Sequence, residues 1–299
     1  MPNTNLAPIA LFVYNRPSHT LQALKSLQQN SLANQSILYI YADGKKSSAT
    51  VADNIAIDET RKIIKSQLWC KQVVVIESEE NKGLANSVIK GVTEVINKHG
   101  KIIVLEDDLL LSQYFLQYMN EALDIYSTIE NIYSINAYMF PITINENTTF
   151  LLPYTSTWGW GTWKNRWATF NPIINELDIQ TITNNPSLKA RFNLSDYDYT
   201  SMLNSGNNSW GIKWYYSIFL KNGLNVFPTL TLVKNIGFDN TGVNCKDEQF
   251  EQTLFKTTNT VTIKAESQLN LNYLSKYLSH FNQPKKNIIK NIIRKILKR

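Results

Sequence analysis

The sequence predicts an α/β fold with a mixed, mainly parallel sheet that is flanked by helices. Two observations support this prediction. Short apolar segments rich in β-branched residues alternate with longer segments of helical periodicity, and polar or acidic residues directly follow several of the apolar segments. With 299 residues, the chain is long enough to bury a full core of this kind. The repeated order of strand, helix and strand favours parallel strands joined by right-handed crossovers.

Four apolar segments predict the strands of the first half, and they are Pro8–Tyr14, Ser36–Ala42, Gln72–Ile76 and Ile102–Leu105. They are apolar along most of their length rather than alternating, which is typical of strands buried on both faces of a parallel sheet.

Segments of helical periodicity lie between and after these strands. The first helix is expected to begin at Pro17, a residue that favours the first helical turn. Further helices are predicted over Thr50–Ser66, Leu84–His99 and Ser112–Ser127, and Gly100 is a suitable C-cap for the second of these three.

The second half of the chain is less regular. We expect a strand over Ile132–Met139, a helix over Trp210–Lys221, an extended stretch over Leu224–Val233 and an edge strand at Val261–Ile263. Thr181–Asn208 is polar and has few periodic apolar residues, so it predicts a mobile, lid-like segment with room for a short helix.

Three consecutive acids, Glu106, Asp107 and Asp108, follow the fourth predicted strand. Burying unpaired charge is expensive, so these acids are expected at the carboxyl end of the strand, where open α/β sheets hold their ligands. Adjacent carboxylates repel one another, and a hard divalent cation such as Mg²⁺ or Mn²⁺ relieves that repulsion while it bridges a substrate diphosphate. The alternative is a solvated acidic loop.

Arg16 and Asp43 end two other predicted strands at the same edge of the sheet. Arg16 could meet an anion or a uracil edge there, or it could cap the loop. The chain contains neither Gly-x-Gly-x-x-Gly nor Gly-x-x-x-x-Gly-Lys-Ser/Thr. These absences argue against a dinucleotide oxidoreductase and a P-loop nucleotidase.

Four Trp residues and two Gly residues are interleaved in Trp158–Trp167. Trp163 and Trp167 are spaced four residues apart, which favours a core role on a short helix. Trp158 and Trp160 flank Gly159, where indole faces could contact a sugar ring, so they are candidates for donor or acceptor contacts. A core role is the alternative for these two as well.

Taken together, these motifs resemble a GT-A glycosyltransferase, most closely the N-acetylglucosaminyltransferase I type. The resemblance covers roughly Ile9 to Gly242. It rests on the Asn-Arg that follows the first strand, Tyr-Ala-Asp-Gly, Val-Leu-Glu-Asp-Asp, the Gly-Trp-Gly turn and the Phe-Pro and Asn-Ile-Gly-Phe segments. Bacterial sugar transferases of polysaccharide gene clusters carry a similar Trp-Gly-Trp-x-x-Trp and Asn-Ile-Gly-Phe pattern.

The resemblance implies a role for each residue of the predicted site. Asp108 would ligate Mn²⁺ (or Mg²⁺), with Asp107 beside it on the metal, the ribose or the donor sugar. Arg16 would contact the uracil or ribose side of a uridine diphosphate donor, and Asp43 would contact the base. Glu106 would reach hydroxyl groups of the donor sugar. The reaction implied is hexosyl or N-acetylhexosaminyl transfer, by an inverting route, to a glycan or a polyprenyl- or other lipid-linked acceptor.

The chain departs from the family pattern at the catalytic base. The family usually places this base in a Trp-Asp segment, whereas this chain has Gly211 after Trp210. Another acid, such as Asp196, Asp198 or Asp239, would then serve as base, and we favour Asp239. Alternatively, the reaction follows a different stereochemical route, or the chain is impaired.

The net charge of +6 comes from the C-terminal tail. Pro284–Arg299 holds seven Lys or Arg residues and no acid, and the remaining chain is close to neutral, which argues against a nucleic-acid-binding face. Apolar residues fall on one stripe of a helix, which predicts an amphipathic basic helix lying on an anionic membrane; they are Ile288, Ile289, Ile292, Ile293, Ile296 and Leu297. A helix docked on the domain is the alternative.

We therefore expect a GT-A domain over residues 1–265, with a donor half at about 1–140 and an acceptor half at about 141–265, and a membrane-associating tail over 266–299. Cys70 and Cys245 form no metal or redox motif and are expected as free thiols in a reducing compartment. No signal peptide or membrane span is recognised. The expected location is the cytoplasmic face of a bacterial cell membrane.

The leading hypothesis is a metal-dependent glycosyltransferase that uses a nucleotide sugar, with UDP as the expected nucleotide, in cell-surface polysaccharide synthesis. A sugar-1-phosphate nucleotidyltransferase is one alternative, but it should show a Gly-rich loop after the first strand, where this chain has Asn15-Arg16-Pro17. A binding protein that keeps the metal site and has lost turnover is the other alternative.

Overall fold

A computed structural model of the chain describes residues 5–142, 144–193, 197–204, 209–239 and 260–281. The chain divides into two compact units, the larger made of Met1–Ile173 and Asn208–Leu269 and the smaller of Ile174–Asn207 and Asn270–Arg299.

Strands and helices alternate in the first part of the larger unit. In chain order they are β1 (Ile9–Val13), α1 (Pro17–Gln28), β2 (Ile37–Ala42), α2 (Val51–Ile64), β3 (Gln72–Glu77), α3 (Leu84–His99), β4 (Lys101–Glu106), β5 (Leu109–Leu111) and α4 (Phe115–Ile125).

The remaining elements are shorter. The larger unit continues with β6 (Ile132–Asn136), β7 (Thr149–Leu152), β8 (Trp160–Trp163) and α5 (Lys164–Trp167), and later with α9 (Trp210–Leu220), β9 (Leu224–Pro228) and β10 (Val233–Asn235). The smaller unit contains α6 (Glu176–Thr183), α7 (Pro186–Phe192), α8 (Tyr199–Asn204) and α10 (Leu271–Phe281).

Local sequence explains where the main helices begin and end. Pro17 lies in the first turn of α1, where its missing N–H costs nothing. Thr50 and Asp53 form a capping box at the start of α2, each side chain accepting a hydrogen bond from the other residue's backbone N–H. Gly100 ends α3 in the left-handed conformation, at φ 83°, and its N–H donates to Ile96 O.

The large sheet has eight strands in the order β3-β2-β1-β4-β8-β6-β9-β7. The four strands on one side, β3 to β4, are parallel. β8 runs antiparallel to both β4 and β6, β9 is parallel to β6, and β7 is antiparallel to β9. This confirms the predicted α/β class with a mixed, mainly parallel sheet.

Apolar side chains cover both faces of the parallel strands. Ile9, Leu11 and Val13 of β1 lie in one buried cluster, and Ala10 and Phe12 lie in the other. This two-sided burial explains why the strands are apolar along their whole length.

A second, two-stranded sheet positions the candidate site. β5 follows the three acids directly, and it pairs with β10 in antiparallel register, with Leu109 opposite Asn235. The backbone N–H of Ile236 then donates to Asp108 O at 2.8 Å. Residues far apart in sequence are thereby held against the end of β4.

Several predicted elements need correction in the second half. Leu224–Val233 is not one extended stretch, because β9 ends at Pro228 and β10 starts at Val233. The edge strand predicted at Val261–Ile263 is a single bridge between Thr148 and Thr262. β7 and β8 were not predicted, because strands of four residues are too short to show a pattern.

Thr181–Asn208 is more helical than predicted. It contains the end of α6 and all of α7 and α8. Asn side chains form the N-caps of two of these helices, Asn175 for α6 and Asn185 for α7. Each helix buries few apolar side chains, including Ile182 and Phe192, which is too few to produce a visible period.

The predicted membrane-associating helix at Pro284–Arg299 lies outside the described residues. Within the described part, no helix is long and apolar enough to cross a bilayer.

Candidate functional site

The three acids lie at the carboxyl end of β4. Glu106 is the last residue of the strand and is partly exposed, and Asp107 and Asp108 form the turn that leads into β5. Asp107 and Asp108 are buried, at 9% and 8% exposure. They are therefore not a solvated acidic loop, and their charge needs compensation within the protein or from a ligand.

Arg16 supplies part of that compensation. It lies directly before α1, at the end of β1, the strand next to β4. Its Nη1 donates to Asp108 Oδ2 at 3.1 Å and lies 3.8 Å from Asp107 Oδ1. Its Nε and Nη2 atoms are buried and have no hydrogen-bond acceptor among the described residues. A guanidinium with open donors beside buried acids suits an anionic ligand with oxygen acceptors.

The pKa values of all three acids are raised. Removal from bulk water, and then repulsion by Asp108 and Asp107, raise the pKa of Glu106 to about 8. Burial and the neighbouring Asp108 raise the pKa of Asp107 to about 7, although Arg16 and the backbone N–H of Tyr14 oppose the shift. Burial also raises the pKa of Asp108 against the opposing effect of Arg16. Ionisation of all three acids is therefore unfavourable without further positive charge, because Arg16 opposes only part of the shift.

The donor set fits a divalent cation that shares its coordination with a substrate. Mg²⁺ and similar ions are commonly held by one or two carboxylates together with phosphate oxygens and water. Asp107 and Asp108 could supply such carboxylates. No group of three or more His, Cys, Asp or Glu side chains suited to a metal occurs within the described residues. For the described residues, a cation held by Asp107 and Asp108 would therefore need further ligands from a substrate or from water.

Asp239, the acid favoured as base, lies close to this cluster. Its Oδ1 is 3.6 Å from Arg16 Nη2, and its Oδ2 is 3.1 Å from His19 Nε2. The side chain of Asp239 is 44% exposed, whereas that of His19 is 12% exposed. His19 also lies 3.3 Å from Ile236 O through the same Nε2. An accessible carboxylate is therefore held by two side chains from the start of α1.

His19 was not recognised in the sequence. It lies on α1, three residues after Arg16, so both face the same direction from the helix. The available signal was that His19 lies one helical turn after Arg16. This signal is weak, because the sequence does not show that Asp239 lies at the same edge of the sheet.

Asp43 lies at the same sheet edge but in a different role from the one expected. Its carboxylate accepts hydrogen bonds from the backbone N–H groups of Gly44, Lys82 and Gly83, at 2.9, 2.8 and 2.9 Å. These bonds fasten the loop before α3 to the end of β2. Contact between Asp43 and a nucleotide base stays a prediction. The structure shows that Asp43 also holds the loop before α3 in place.

Trp160 does not lie where a ligand could reach it, so its assignment as a contact residue is wrong. It is fully buried and packs against Trp167, Trp210 and Trp214, with ring centroids 5.9, 5.4 and 6.0 Å away. The Gly-rich spacing suggested a ligand turn, but β8 places this side chain in the core between β4 and β6.

Trp158 is partly exposed and contacts the return segment, which is residues 236–239 directly after β10. Its ring lies 4.5 Å from that of Tyr138 and 5.5 Å from that of Phe238, the residue before Asp239. Gly159 has φ 68°, and a Cβ there would lie 2.9 Å from Val233. Only glycine suits this turn, which directs Trp158 and Trp160 to different environments.

The position expected to carry the base lies beside the Trp158 turn. Gly211 lies in the first turn of α9, and a Cβ on it would lie 3.0 Å from Thr157 Cγ2. Of the other candidate bases, Asp198 accepts hydrogen bonds from Ser201 and lies in the smaller unit. Asp196 lies outside the described residues. Asp239 is the candidate that the structure brings to Arg16.

The sequence profile of glycosyl transferase family 2 matches residues 9–177, more than half of the chain. This chain belongs to glycosyl transferase family 2. The predicted GT-A class and glycosyltransferase identity are thereby confirmed, while the closer resemblance to N-acetylglucosaminyltransferase I stays a prediction. No curated protein matches the chain.

Solved structures show similarity at low identity. A mannosyltransferase from Pyrobaculum calidifontis, in complex with GDP-Man and Mn²⁺, is 10% identical over 66% of this chain and 51% of its own, with TM-score 0.38. The chain thus spans about half the length of that protein. S. aureus TarS is 12% identical over 76% of this chain and 59% of its own, with TM-score 0.40. A UDP-glucose pyrophosphorylase complexed with UDP-glucose is 9% identical over 74% and 90%, with TM-score 0.38.

The raised pKa values predict a stability that depends on pH in metal-free protein. The folded state holds the Glu106 proton up to about pH 8, whereas the ordinary pKa is 4.5. The contribution of Glu106 to stability is therefore fully present below pH 4.5 and is lost as the pH rises to 8, because the unfolded chain loses this proton first. We expect the unfolding temperature to fall by roughly 3–6 °C between pH 6 and pH 8, on the order of 1–2 kcal/mol.

Glu106→Gln should flatten this decline, and Glu59→Gln, on the exposed face of α2, serves as the matched control. Differential scanning calorimetry in EDTA gives the comparison. An unchanged slope in Glu106→Gln would show that this carboxyl is not held protonated.

Proposed function

We propose that this protein is a metal-dependent glycosyltransferase that moves a sugar from a nucleotide diphosphate donor, with UDP as the first choice, to a glycan or lipid-linked acceptor in cell-surface polysaccharide synthesis. One observation carries the proposal. A buried guanidinium with open donors, on Arg16, is paired with two buried carboxylates at the ligand-binding edge of a family 2 fold. The oxygens of a diphosphate would accept hydrogen bonds from the open donors, and a divalent cation would favour ionisation of the two carboxylates.

Asp108, with Asp107, would hold Mn²⁺ or Mg²⁺ together with the donor diphosphate. The bound cation would supply Lewis-acid stabilisation of the charge that develops on the departing diphosphate. Arg16 adds a second positive charge and directional hydrogen bonds to the same oxygens. Glu106, partly exposed beside them, would accept hydrogen bonds from hydroxyl groups of the donor sugar.

Asp239 is proposed as the general base. As the acceptor oxygen attacks C1 of the donor sugar, the bond from C1 to the diphosphate oxygen breaks and the hydroxyl proton passes to the Asp239 carboxylate, inverting the configuration. His19 and Arg16 each contact one oxygen of this carboxylate. Its exposure leaves it accessible to an acceptor.

Trp158 is proposed to contact the acceptor. Its partly exposed indole packs on Phe238, and Phe238 directly precedes Asp239. An aromatic face beside the base suits stacking against a sugar ring, which would hold its hydroxyl near the carboxylate.

Replacing Asp108 should remove metal-dependent nucleotide binding. We expect Asp108→Asn to weaken UDP binding in the presence of Mn²⁺ at least about tenfold, because one metal ligand and the partner of Arg16 are lost together. Isothermal titration calorimetry with UDP, with and without Mn²⁺, measures this. The matched control is Asp58→Asn, which removes a carboxylate from the exposed ion pair with Lys45. Full Mn²⁺-dependent UDP affinity in Asp108→Asn would overturn the metal assignment.

Replacing Asp239 should separate chemistry from donor binding. Asp239→Asn is expected to lower kcat by roughly 100-fold or more while UDP affinity changes less than about threefold, since a general base contributes in the transition state. Asp198→Asn is the control for the competing candidate. His19→Gln, which can still donate a hydrogen bond, should lose less activity than His19→Ala. If Asp239→Asn keeps full kcat, another group is the base.

The second candidate function is that of a nucleotide-sugar-binding protein that has lost turnover. The glycine at position 211, where the family usually has an acid, favours it. A binding protein would take up UDP with Mn²⁺ but would neither transfer nor hydrolyse any donor. A screen of nucleotide sugars for slow hydrolysis, read as free UDP or other nucleotide diphosphate, distinguishes the two. Hydrolysis that disappears in Asp108→Asn supports an enzyme, and no hydrolysis of any donor supports a binding protein.

Membrane association through the basic C-terminal segment is also proposed, at the cytoplasmic face. Seven Lys or Arg residues without an acid in residues 284–299 favour an anionic surface, each by about 1 kcal/mol when near it. Deleting residues 284–299 should abolish co-sedimentation with vesicles that contain 30% anionic lipid, while donor hydrolysis is retained. Vesicles of neutral lipid provide the control. Unchanged partition of the truncated protein onto anionic vesicles would contradict the proposal.

A further inference from the structure

β3 forms one edge of the large sheet. Within the described part of the chain, its six residues pair with β2 alone, in regular parallel register from Gln72 to Glu77. An edge strand presents unpaired N–H and C=O groups and is a template for pairing with another chain.

The direction of these backbone groups follows from two hydrogen bonds. Gln72 N donates to Ser36 O at 3.4 Å, and Ser78 N donates to Ala42 O at 2.9 Å, so both residues face β2. Alternate residues of a strand direct their N–H and C=O groups to opposite sides. Val73, Val75 and Glu77 therefore direct theirs towards the open edge.

β3 lacks the features that protect an open sheet edge from pairing with another chain. Natural proteins protect open edges with Pro, inward-pointing Lys, bulges or very short strands. The sequence Gln-Val-Val-Val-Ile-Glu contains none of these, and its register is unbroken. Its four central residues are only partly buried: Val73 and Val75 pack against one core cluster, while Val74 and Ile76 pack against the other. Both faces of the edge would lose exposed apolar surface if another strand were added.

The charges at the two ends of β3 identify the partner. Lys71 precedes the strand and is exposed, whereas Glu77, Glu79 and Glu80 lie at its other end and are exposed. Glu77 is paired with Lys65, and Glu80 lies near Lys82. Neither Lys71 nor Glu79 forms an ion pair within the described residues. One basic end and one acidic end are self-complementary when two copies of the strand run antiparallel.

We propose that a second copy of this chain pairs with β3 in antiparallel orientation, continuing the sheet through both molecules about a two-fold axis at Val75. In this register Val75 faces Val75 of the second copy, and Val73 faces Glu77. All three edge-facing residues then exchange backbone hydrogen bonds. A shift of one residue would place these edge-facing residues opposite residues of the second copy whose backbone groups point to β2. No hydrogen bonds could then form, so this register is excluded. Lys71 of each copy comes opposite Glu79 of the other.

The dimer is expected to be weak. Pairing of one six-residue strand buries less area than a standard interface of about 1,200–2,000 Å², so a dissociation constant on the order of 10–100 μM is expected. This proposal does not depend on the proposed function.

Charge exchange between the strand ends tests the pairing on the full chain. Sedimentation velocity from 5 μM to 500 μM gives the dissociation constant of the wild type and of three variants. Lys71→Glu and Glu79→Lys should each raise it about fivefold, because each places like charges opposite each other. The double variant should return to within about twofold of the wild type. Both residues are exposed, so folding should be unaffected, and circular dichroism of each variant would check this.

A backbone variant gives a second, independent measurement. Val75→Pro removes an N–H that faces the open edge and none that bonds β2, so it should abolish dimerisation. Hydrogen exchange of the Val75 amide in the wild type should slow as protein concentration rises.

Either of two results would overturn the proposal. One is a monomer at 500 μM. If the Val75 amide of that monomer is protected at every protein concentration, another segment of the same chain covers the edge. The other is a dimer whose dissociation constant is the same in Lys71→Glu, Glu79→Lys and the double variant, which would place the interface elsewhere.

Discussion

The pairing of Arg16 with the buried carboxylates at the end of β4 is the interaction on which the rest of the site depends. Asp107 and Asp108 are almost inaccessible to water, and burial of unpaired charge costs several kcal/mol per ion in a protein interior. Arg16 offsets part of this cost, yet its Nε and Nη2 donate no hydrogen bond in the described chain, and Asp239 Oδ1 is 3.6 Å from Nη2. A site that is folded but electrostatically incomplete is suited to a charged ligand, because the ligand's binding free energy includes the missing compensation.

Packing around Asp108 shows how a distant segment completes this arrangement. A Cβ on Gly237 would lie 2.3 Å from Asp108 Oδ2, so the return segment can approach the carboxylate only as glycine. Asn235 Oδ1 accepts from the Gly237 N–H at 2.7 Å and shapes the same turn. The pairing of β5 with β10 therefore aligns Asp107 and Asp108 with Phe238 and Asp239 as one unit.

The sequence was most informative where burial and chemistry change abruptly. The parallel strands, the end of α3 at Gly100 and the three acids at the end of β4 were all predictable, because continuous apolar runs and strand-end charges are local signals. The burial of Trp160 was not, since it depends on β8 inserting between β4 and β6. The same holds for His19 and for the loop contacts of Asp43, whose partners are separated from them by long stretches of sequence.

The absence of an acid at position 211 is compatible with a working site because of what surrounds it. Gly211 lies against Thr157, in the turn that carries Trp158, and Trp158 packs on Phe238 beside Asp239. The position of the usual base and the position of Asp239 are thus joined through two packed side chains. An acceptor stacked on Trp158 would lie near the Asp239 carboxylate, just as it would lie near an acid at position 211. Moving the base from the start of α9 to the return segment would then require little change in how the acceptor is held. It would, however, couple the base to Arg16, so that one cation orients both the leaving diphosphate and the group that takes the acceptor's proton.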